Sequence, residues 1–430
     1  MDVLTESIGR THLSDGPHGP GELEQLLFEP QAESGIADTV LDNIPRYLFR
    51  IASPRSDRCT NEIWVRSESA YCNKISSTED IFFNLNNEKQ ADIAQILNLH
   101  LRWWPKRGLE DNFVSWTSSL LFAIQYIYYR WSSPRDGSSL ADIKLYVIDT
   151  TRFSRGTFMR DLDLIDIFCD YDENLKSLQS LRNGPDFYFG EYLSQGPLKI
   201  ENKCQAIPAE VLFQQDRLRR IQPRFAEMPS NKTGNPRLAK AVIRLRQVIW
   251  PGFDLPVLSS AEMIDRLQPI EEIMNNIPAG WRFPIAIYFA ALIGSESSIK
   301  EQETATDNIF FAFFRSESFR HSQVQEEFKS ADFNVVATDA TPELKQVKKL
   351  VRELHKHSLL KKALDRVKAA EASIRHLHIQ NEFSGNGRAS FVVADDPNKT
   401  LAHTGQSLLS KLSTVQMLCR EVALALSGDK

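Results

Sequence analysis

Apolar and polar positions along the first half of the chain predict short strands interleaved with helices. Strands are predicted at residues 46–51, at Phe113, where a short strand ends in a cluster of hydroxyls, and at 143–149, 187–193 and 210–213; alternation with β-branched residues is clearest at 143–149. Helices are predicted at 88–101, where Asn87 is a candidate cap, directly after the Phe113 strand through about 131, and at 159–168. This mixed order favours an α+β domain over residues 39–222, preceded by a Gly- and Pro-rich flexible tail at 1–38.

The second half has mainly helical spacing. A polar linker at 223–235 leads to a helical region at 236–330, with helices expected at 238–249, 260–277 and 283–293 and a buried aromatic run at 309–314. The last part, 331–430, holds a long basic helix from Pro342 to about 380, a turn-rich stretch at 384–400 with a short strand at 391–394, and a helix at about 406–426.

The long helix carries its own start signals. Thr341 suits the N-cap, Pro342 the first helical position, and Glu343 the positive end of the helix dipole. Its apolar residues predict one packing seam that continues with a shift: Leu344, Val347, Val351, Leu354, Leu360, Leu364, Val367, Ile374 and Leu377.

Composition narrows the class of protein. The net charge of -5 gives no general attraction to nucleic acid or to anionic membranes. The five cysteines are scattered without a CxxC pair, which is typical of reduced thiols and of neither a disulfide framework nor a zinc site. With no signal peptide or membrane-spanning run, we expect an intracellular protein of the cytoplasm or nucleus that does not bind membranes.

Three polar residues on predicted strands could carry chemistry. Arg50 closes the first strand, Ser115 closes a second that runs into an apolar helix, and Glu191 lies in a later one. A guanidinium binds phosphate oxygens through its fixed fork of donors, a hydroxyl can orient a ribose, and a carboxylate can stabilise an oxocarbenium-like cation. Each also has an ordinary structural explanation, namely a salt bridge, a helix cap and a solvated strand residue.

The ordered combination of these segments resembles the ADP-ribosyltransferase superfamily, in its Arg–Ser–Glu, cholera-toxin-like class. The similar segments are residues 47–53 around Arg50, 113–120 around Ser115, 145–149, and 190–194 around Glu191, followed by Ile207-Pro208. The whole sequence also resembles a family of fungal proteins built around this domain. The resemblance covers less than half of the chain and implies a split β-sheet domain, here followed by a mainly α-helical C-terminal region.

The resemblance implies that NAD is the substrate, with Arg50 binding its phosphate and Thr117 supporting Ser115. Ser115 would orient the nicotinamide ribose and the glutamate, and Glu191 would stabilise the cation as nicotinamide leaves. The implied reaction is ADP-ribosyl transfer to an acceptor, or NAD hydrolysis. The family's arginine-modifying members carry an acid two residues before the glutamate, where this chain has Phe189, so the resemblance argues against arginine as acceptor. Trp116 should point away from Ser115 if the strand alternates.

Two other functions remain open from the sequence. In the first, the domain is a catalytically degenerate module and the helical C-terminal region binds an unknown protein partner. In the second, the long helix binds nucleic acid through its basic residues, which include Lys345, Lys349 and Arg352. The second is disfavoured, because charge commonly covers the outer face of an amphipathic helix and no nucleic-acid-reading motif accompanies it.

Overall fold

The computed structural model describes residues 23–30, 38–54, 60–106, 108–133, 136–184, 186–227, 238–251, 258–294, 305–316, 319, 341–382, 410, 412–417 and 419–420. The chain divides into two discontinuous units by its contacts. Unit 1 comprises Met1–Ile44, Ser56–Trp116 and Ile148–Cys204, and unit 2 comprises Pro45–Arg55, Thr117–Val147 and Gln205–Lys430. The sequence-based boundaries at 39, 222, 235 and 330 stay a prediction.

The strands are β1 (Gln25–Leu26), β2 (Tyr47–Ala52), β3 (Trp64–Arg66), β4 (Phe113–Thr117), β5 (Lys144–Asp149), β6 (Met159–Arg160), β7 (Glu191–Lys199) and β8 (Cys204–Pro208). The helices of the first half are α1 (Glu68–Tyr71), α2 (Asn87–Leu101), α3 (Leu120–Ser132), α4 (Asp161–Phe168), α5 (Glu173–Arg182), α6 (Ala209–Phe213) and α7 (Arg217–Ile221). Those of the second half are α8 (Leu238–Ile249), α9 (Ser260–Met274), α10 (Ala279–Ala291), α11 (Ala305–Phe314) and α12 (Pro342–Glu382). The fold is therefore α+β with a helical C-terminal part.

Unit 1 is organised around β7. Strands β1, β3 and β6 all pair with it antiparallel, and β4 is its neighbour in the sheet. Helices α2, α4 and α5 contribute to one buried apolar cluster with β4 and β7, in which Phe82, Leu97, Phe168 and Leu193 are fully buried. This core fixes β4 and β7, on which two of the predicted site residues lie.

The predicted flexible tail is wrong for the described residues 23–30. Strand β1 pairs with β7, Phe28 is 1% exposed, and the Phe28 amide donates to the Gly156 carbonyl at 2.7 Å. A side chain at Gly156 would bring its Cβ within 2.7 Å of the Phe28 carbonyl oxygen, and its φ of +84° also favours glycine. Phe28 supplies the apolar burial that the Gly-Pro composition around it did not signal.

Several element predictions needed correction. Asn86, not Asn87, caps α2 by accepting from the Lys89 amide. Residues 159–160 form β6 before α4 begins, and the strand predicted at 187–193 begins only at Glu191. The run 210–213 is helical in α6, because strand β8 ends at Pro208 and the chain turns there.

The linker prediction is also wrong for 223–227, a single 3-10 turn in which Phe225 is 1% exposed. Helices α3, α8, α9 and α10 are confirmed with small shifts at their ends. Residues 309–314 belong to α11, where Phe314 is buried. The predicted strand at 391–394 lies outside the described residues, and the described positions of the last predicted helix, such as 412–417, are helical.

In unit 2, Phe49 of β2 pairs with Thr117 at the end of β4, and β5 lies between β2 and β8. Rings from α10 cover β2, with Tyr288 edge-on to Phe49 at 5.0 Å between centroids. Helix α12 begins at Pro342 as predicted, and its first seam residues, Leu344, Val347, Val351 and Leu354, are buried. The continued seam is wrong at Leu364 and Val367, which are 52% and 44% exposed.

Glu343 does more than favour the helix dipole. It is buried, its carboxylate pairs with Arg246 of α8 at 2.6 Å, and the Ser119 hydroxyl donates to it. Ser119 also caps α3 by accepting from the Phe122 amide. The predicted capping by the Thr341 hydroxyl is not seen, because that buried oxygen has no hydrogen-bond partner among the described residues.

We expect Glu343→Gln to lower the free energy of unfolding by about 3–5 kcal/mol, because Arg246 then keeps a buried charge without its counter-charge. Urea unfolding followed by circular dichroism measures the loss. The matched control is the double variant Arg246→Met/Glu343→Leu, which removes both charges and should lose clearly less. Equal losses in the two variants would show that the ion pair is not the source of the effect.

Candidate functional site

Ser115 and Glu191 are joined by a direct hydrogen bond in unit 1. The Ser115 hydroxyl donates to Glu191 Oε1 at 2.7 Å. Ser115 is the central residue of β4, and Glu191 is the first residue of β7, the neighbouring strand. The two predicted site residues therefore meet across adjacent strands.

The chain enters β7 through Gly190, which has a φ of +67°. Only glycine adopts this conformation without a steric penalty, so Gly190 allows the turn that places Glu191 at the start of the strand. As predicted from strand alternation, the Trp116 side chain lies on the other face of β4 from Ser115. Trp116 is 1% exposed and donates from Nε1 to the Ser194 hydroxyl at 3.0 Å, and its ring is edge-on to Phe158.

The second oxygen of Glu191 binds a buried arginine. Arg182, the last residue of α5, donates from Nη2 to Glu191 Oε2 at 2.7 Å, and the two side chains are 8% and 13% exposed. The Arg182 guanidinium also lies over the Phe189 ring, 5.6 Å from its centroid. Phe189 thus supports the arginine that holds the glutamate.

Asp161, the first residue of α4, is a second carboxylate beside Arg182. Its Oδ2 lies 3.6 Å from Arg182 Nη1, and both atoms are buried without a hydrogen-bond partner among the described residues. Complete burial raises the pKa of Asp161 to about 7, against the lowering effect of Arg182, and the charge of Glu191 raises it further. Beside Arg182, burial therefore favours the protonated form of Asp161 more than it does for an ordinary aspartate.

On its other side, Ser115 contacts His100 at the end of α2. His100 Nε2 lies 2.8 Å from the Ser115 hydroxyl oxygen, and His100 Nδ1 lies 2.7 Å from Asp111 Oδ2. Asp111 is 2% exposed and also pairs with Lys106, and its Oδ1 accepts from the Phe113 amide at 3.0 Å. Burial raises the pKa of Asp111, but His100 and Lys106 outweigh it and lower the pKa to about 2.

The single hydrogen of Ser115 gives this chain its direction. The contacts Asp111–His100, His100–Ser115 and Ser115–Glu191 are continuous, and the serine donates its one hydrogen to Glu191. The Ser115 oxygen can therefore only accept on its other side, so His100 Nε2 is the donor of that contact.

This direction decides what the site can do chemically. The distances from Asp111 through His100 to Ser115 are those of a serine-nucleophile triad, in which the imidazole accepts the serine proton. Here the serine proton is directed to a carboxylate instead, so Ser115 orients Glu191 and is not activated as a nucleophile. The result is a fixed, partly buried carboxylate, which is suited to stabilising a positive charge.

The other predicted site residues lie in unit 2. Arg50 is a half-buried residue of β2. Thr117 is buried at the end of β4, and its Oγ1 accepts from the Ser119 amide at 3.0 Å. Their predicted roles toward NAD stay predictions.

The sequence analysis missed His100, Asp111, Arg182 and Asp161. His100 lies 15 positions from Ser115, and Arg182 lies 9 positions from Glu191, and no local pattern connects residues at these spacings. A partial signal was available: His100 ends a predicted amphipathic helix, and Asp111 stands directly before a predicted strand. Polar residues at both of these junctions, next to a strand that carries Ser115, could have indicated one polar cluster.

Comparison with known proteins adds one finding. A family model described as a domain of unknown function (DUF7587) matches residues 43–197, which include Arg50, His100, Ser115, Arg182 and Glu191. No curated protein matches the chain, and no solved structure does. Within the described residues, no helix is both long and apolar enough to cross a membrane.

The lowered pKa of Asp111 predicts a specific acid sensitivity. Its contribution to stability is fully present above pH 3.8 and is lost as pH falls through about 2. We expect the difference in unfolding free energy between wild type and Asp111→Asn to shrink by about 2 kcal/mol between pH 5 and pH 2. Urea unfolding at several pH values measures this difference.

Asp170→Asn is the control for this experiment, because the Asp170 side chain is 80% exposed in the same unit. Its difference from wild type should be smaller than that of Asp111→Asn, because solvent screens an exposed charge. If the Asp111→Asn difference stays constant over the same range of pH, the ionised carboxylate does not stabilise the folded chain in the way described.

Proposed function

We propose that the chain cleaves the nicotinamide–ribose bond of NAD and transfers ADP-ribose to an acceptor or to water. The observation that carries this proposal is the hydrogen bond from Ser115 to Glu191, at 2.7 Å. An oxocarbenium-like ribose needs an anion close to its ring, and Glu191 is a carboxylate whose position is set by Ser115 and Arg182.

Partial burial supports the same role. Glu191 is 13% exposed, and a charge interacts more strongly with a developing cation where water is scarce. The positive charge of Arg182 weakens this attraction. Arg182 also lies beside Asp161, however, so it neutralises Glu191 only in part. Arg50 enters the proposal from the family resemblance, as the residue that binds the NAD phosphates. The presence of Phe189 argues against an arginine side chain as the acceptor.

One observation favours a second candidate function, that of a non-catalytic interaction module. Both oxygens of Glu191 already accept hydrogen bonds, one from Ser115 and one from Arg182. In this second function, the carboxylate has the structural role of holding two strands and a helix together. In that case the protein partner would bind elsewhere, and the helical C-terminal part is the candidate surface.

Incubation of the full chain with NAD distinguishes the two functions, with released nicotinamide measured by chromatography. We expect release from wild type, a loss of at least about 100-fold in Glu191→Gln and about 10-fold or more in Ser115→Ala. Arg50→Lys should mainly raise the KM for NAD, because lysine lacks the fork of donors. Glu201→Gln is the matched control, since Glu201 is 47% exposed on unit 1.

Two results would overturn the proposal. One is absence of nicotinamide release from folded wild-type protein, and the other is undiminished release from Glu191→Gln. Wild-type protein that binds NAD without cleaving it would support the interaction module with a retained nucleotide site.

The directed hydrogen-bond chain predicts that His100 is a positioning residue, and two variants separate its two bonds. Glutamine reaches as far as Nε2, so His100→Gln keeps an N–H donor toward Ser115 and loses the bond to Asp111. The asparagine amide reaches only as far as histidine Nδ1. His100→Asn therefore keeps the hydrogen bond to Asp111 and loses the hydrogen bond to Ser115. We expect kcat to fall about 10-fold or more in His100→Asn and clearly less in His100→Gln, with KM little changed in both.

Melting temperature is measured alongside, because both variants lose one hydrogen bond and should be destabilised to a similar degree. Equal kcat values in the two variants would mean that donation to Ser115 does not matter for turnover. The histidine would then have only a structural role.

A further inference from the structure

Unit 2 contains a cavity that none of the site residues described above lines. Its volume is about 200 Å³. Its lining is mainly aromatic and aliphatic, with one acid and one base: Tyr128, Trp131, Leu140, Phe213, Asp216, Leu218, Arg219 and Phe225. An apolar cavity of about 150 Å³ is large enough to bind benzene, so this one has room for a single aromatic ring and a small substituent.

The cavity has one unsatisfied polar group. Tyr128 is 7% exposed, and its hydroxyl is buried with no hydrogen-bond partner among the described residues. Burial raises the pKa of Tyr128, so the phenol keeps its hydrogen and acts as a donor. Leaving such a donor without an acceptor is unfavourable, and a ligand that carries an acceptor would remove this cost.

The positive charge of Arg219 at the cavity is only weakly neutralised by its neighbour Asp216. Arg219 is 46% exposed and lies 3.4 Å from the 70% exposed Asp216, a pairing weakened by solvent. The Arg219 charge also reaches Tyr128, whose pKa it lowers against the larger effect of burial. A negative group placed between Arg219 and the Tyr128 hydroxyl would therefore meet a cation and a hydrogen-bond donor.

The backbone beside this charge pair is held in an unfavourable conformation. Gln215 and Asp216 have consecutive φ values of +54° and +55°, and neither is glycine. Non-glycine residues in this conformation are strained, and such strain clusters at functional sites. The next residue, Arg217, anchors the turn by donating to the Val211 carbonyl at 2.8 Å and by pairing with Glu272 at 3.2 Å.

We propose that this cavity binds a single-ring aromatic carboxylate. The ring lies among the aromatic side chains, and the carboxylate accepts from the Tyr128 hydroxyl and faces the Arg219 guanidinium. Buried Leu218 and Phe225, at 4% and 1% exposure, give the ring an apolar surface that excludes water. The inference is independent of NAD cleavage, because it uses no residue of the Ser115–Glu191 site.

Calorimetric titration of the full chain with benzoate tests the proposal. We expect a Kd on the order of 100 μM, within the efficiency of small ligands. Benzamide keeps an acceptor without the charge and should bind about 10-fold more weakly, and toluene, which has neither, more weakly still. Tyr128→Phe and Arg219→Ala should each weaken benzoate binding about 10-fold or more, because each removes one interaction with a charged group. Tyr129→Phe on the same helix is the matched control and should bind as wild type does.

Thermal unfolding separates loss of binding from loss of folding. Tyr128→Phe removes an unsatisfied hydroxyl, so its melting temperature without ligand should equal or exceed that of wild type. No benzoate binding up to 10-fold above the expected Kd would overturn the proposal. Equal binding of toluene and benzoate, or full binding by Tyr128→Phe, would also overturn it.

Discussion

A serine hydroxyl that donates to a carboxylate already paired with arginine is the interaction on which both units depend. In unit 1, Ser115 donates to Glu191, which binds Arg182. In unit 2, Ser119 donates to Glu343, which binds Arg246. A buried carboxylate is tolerated only when a cation and hydrogen-bond donors replace water. The segment from 115 to 119 supplies one donor to each pair.

The two pairs nevertheless differ in what surrounds them. Glu343 belongs to a long helix whose neighbouring residues Leu344 and Val347 are buried, so its pair serves packing. Glu191 stands at a strand end beside a second carboxylate, Asp161, whose pKa burial raises to about 7. Excess negative charge around one arginine is unfavourable for folding alone. It is useful where a cation must form, as in the proposed cleavage of NAD.

The sequence could single out those candidate site residues that differ from the local pattern around them. Ser115 and Glu191 could be found because a hydroxyl and an acid stand out against the apolar residues of predicted strands. Arg182 could not be found, and His100 had only a partial signal, because their importance depends on which helix ends pack beside those strands. The same limit applies to residues 210–213, whose strand-like composition forms helix α6 because the sheet ends at Pro208. Likewise Leu364 and Val367 keep the seam spacing but have no surface to pack against among the described residues.

The central claim is that the Ser115–Glu191 pair acts on the nicotinamide ribose of NAD. A crystal structure of the full chain with a non-hydrolysable NAD analogue tests it most directly. The account predicts the ribose hydroxyls within hydrogen-bond distance, about 2.6–3.2 Å, of Glu191 or Ser115, with the glycosidic carbon facing the carboxylate. An analogue bound away from both residues, or no bound analogue at saturating concentration, would contradict the account.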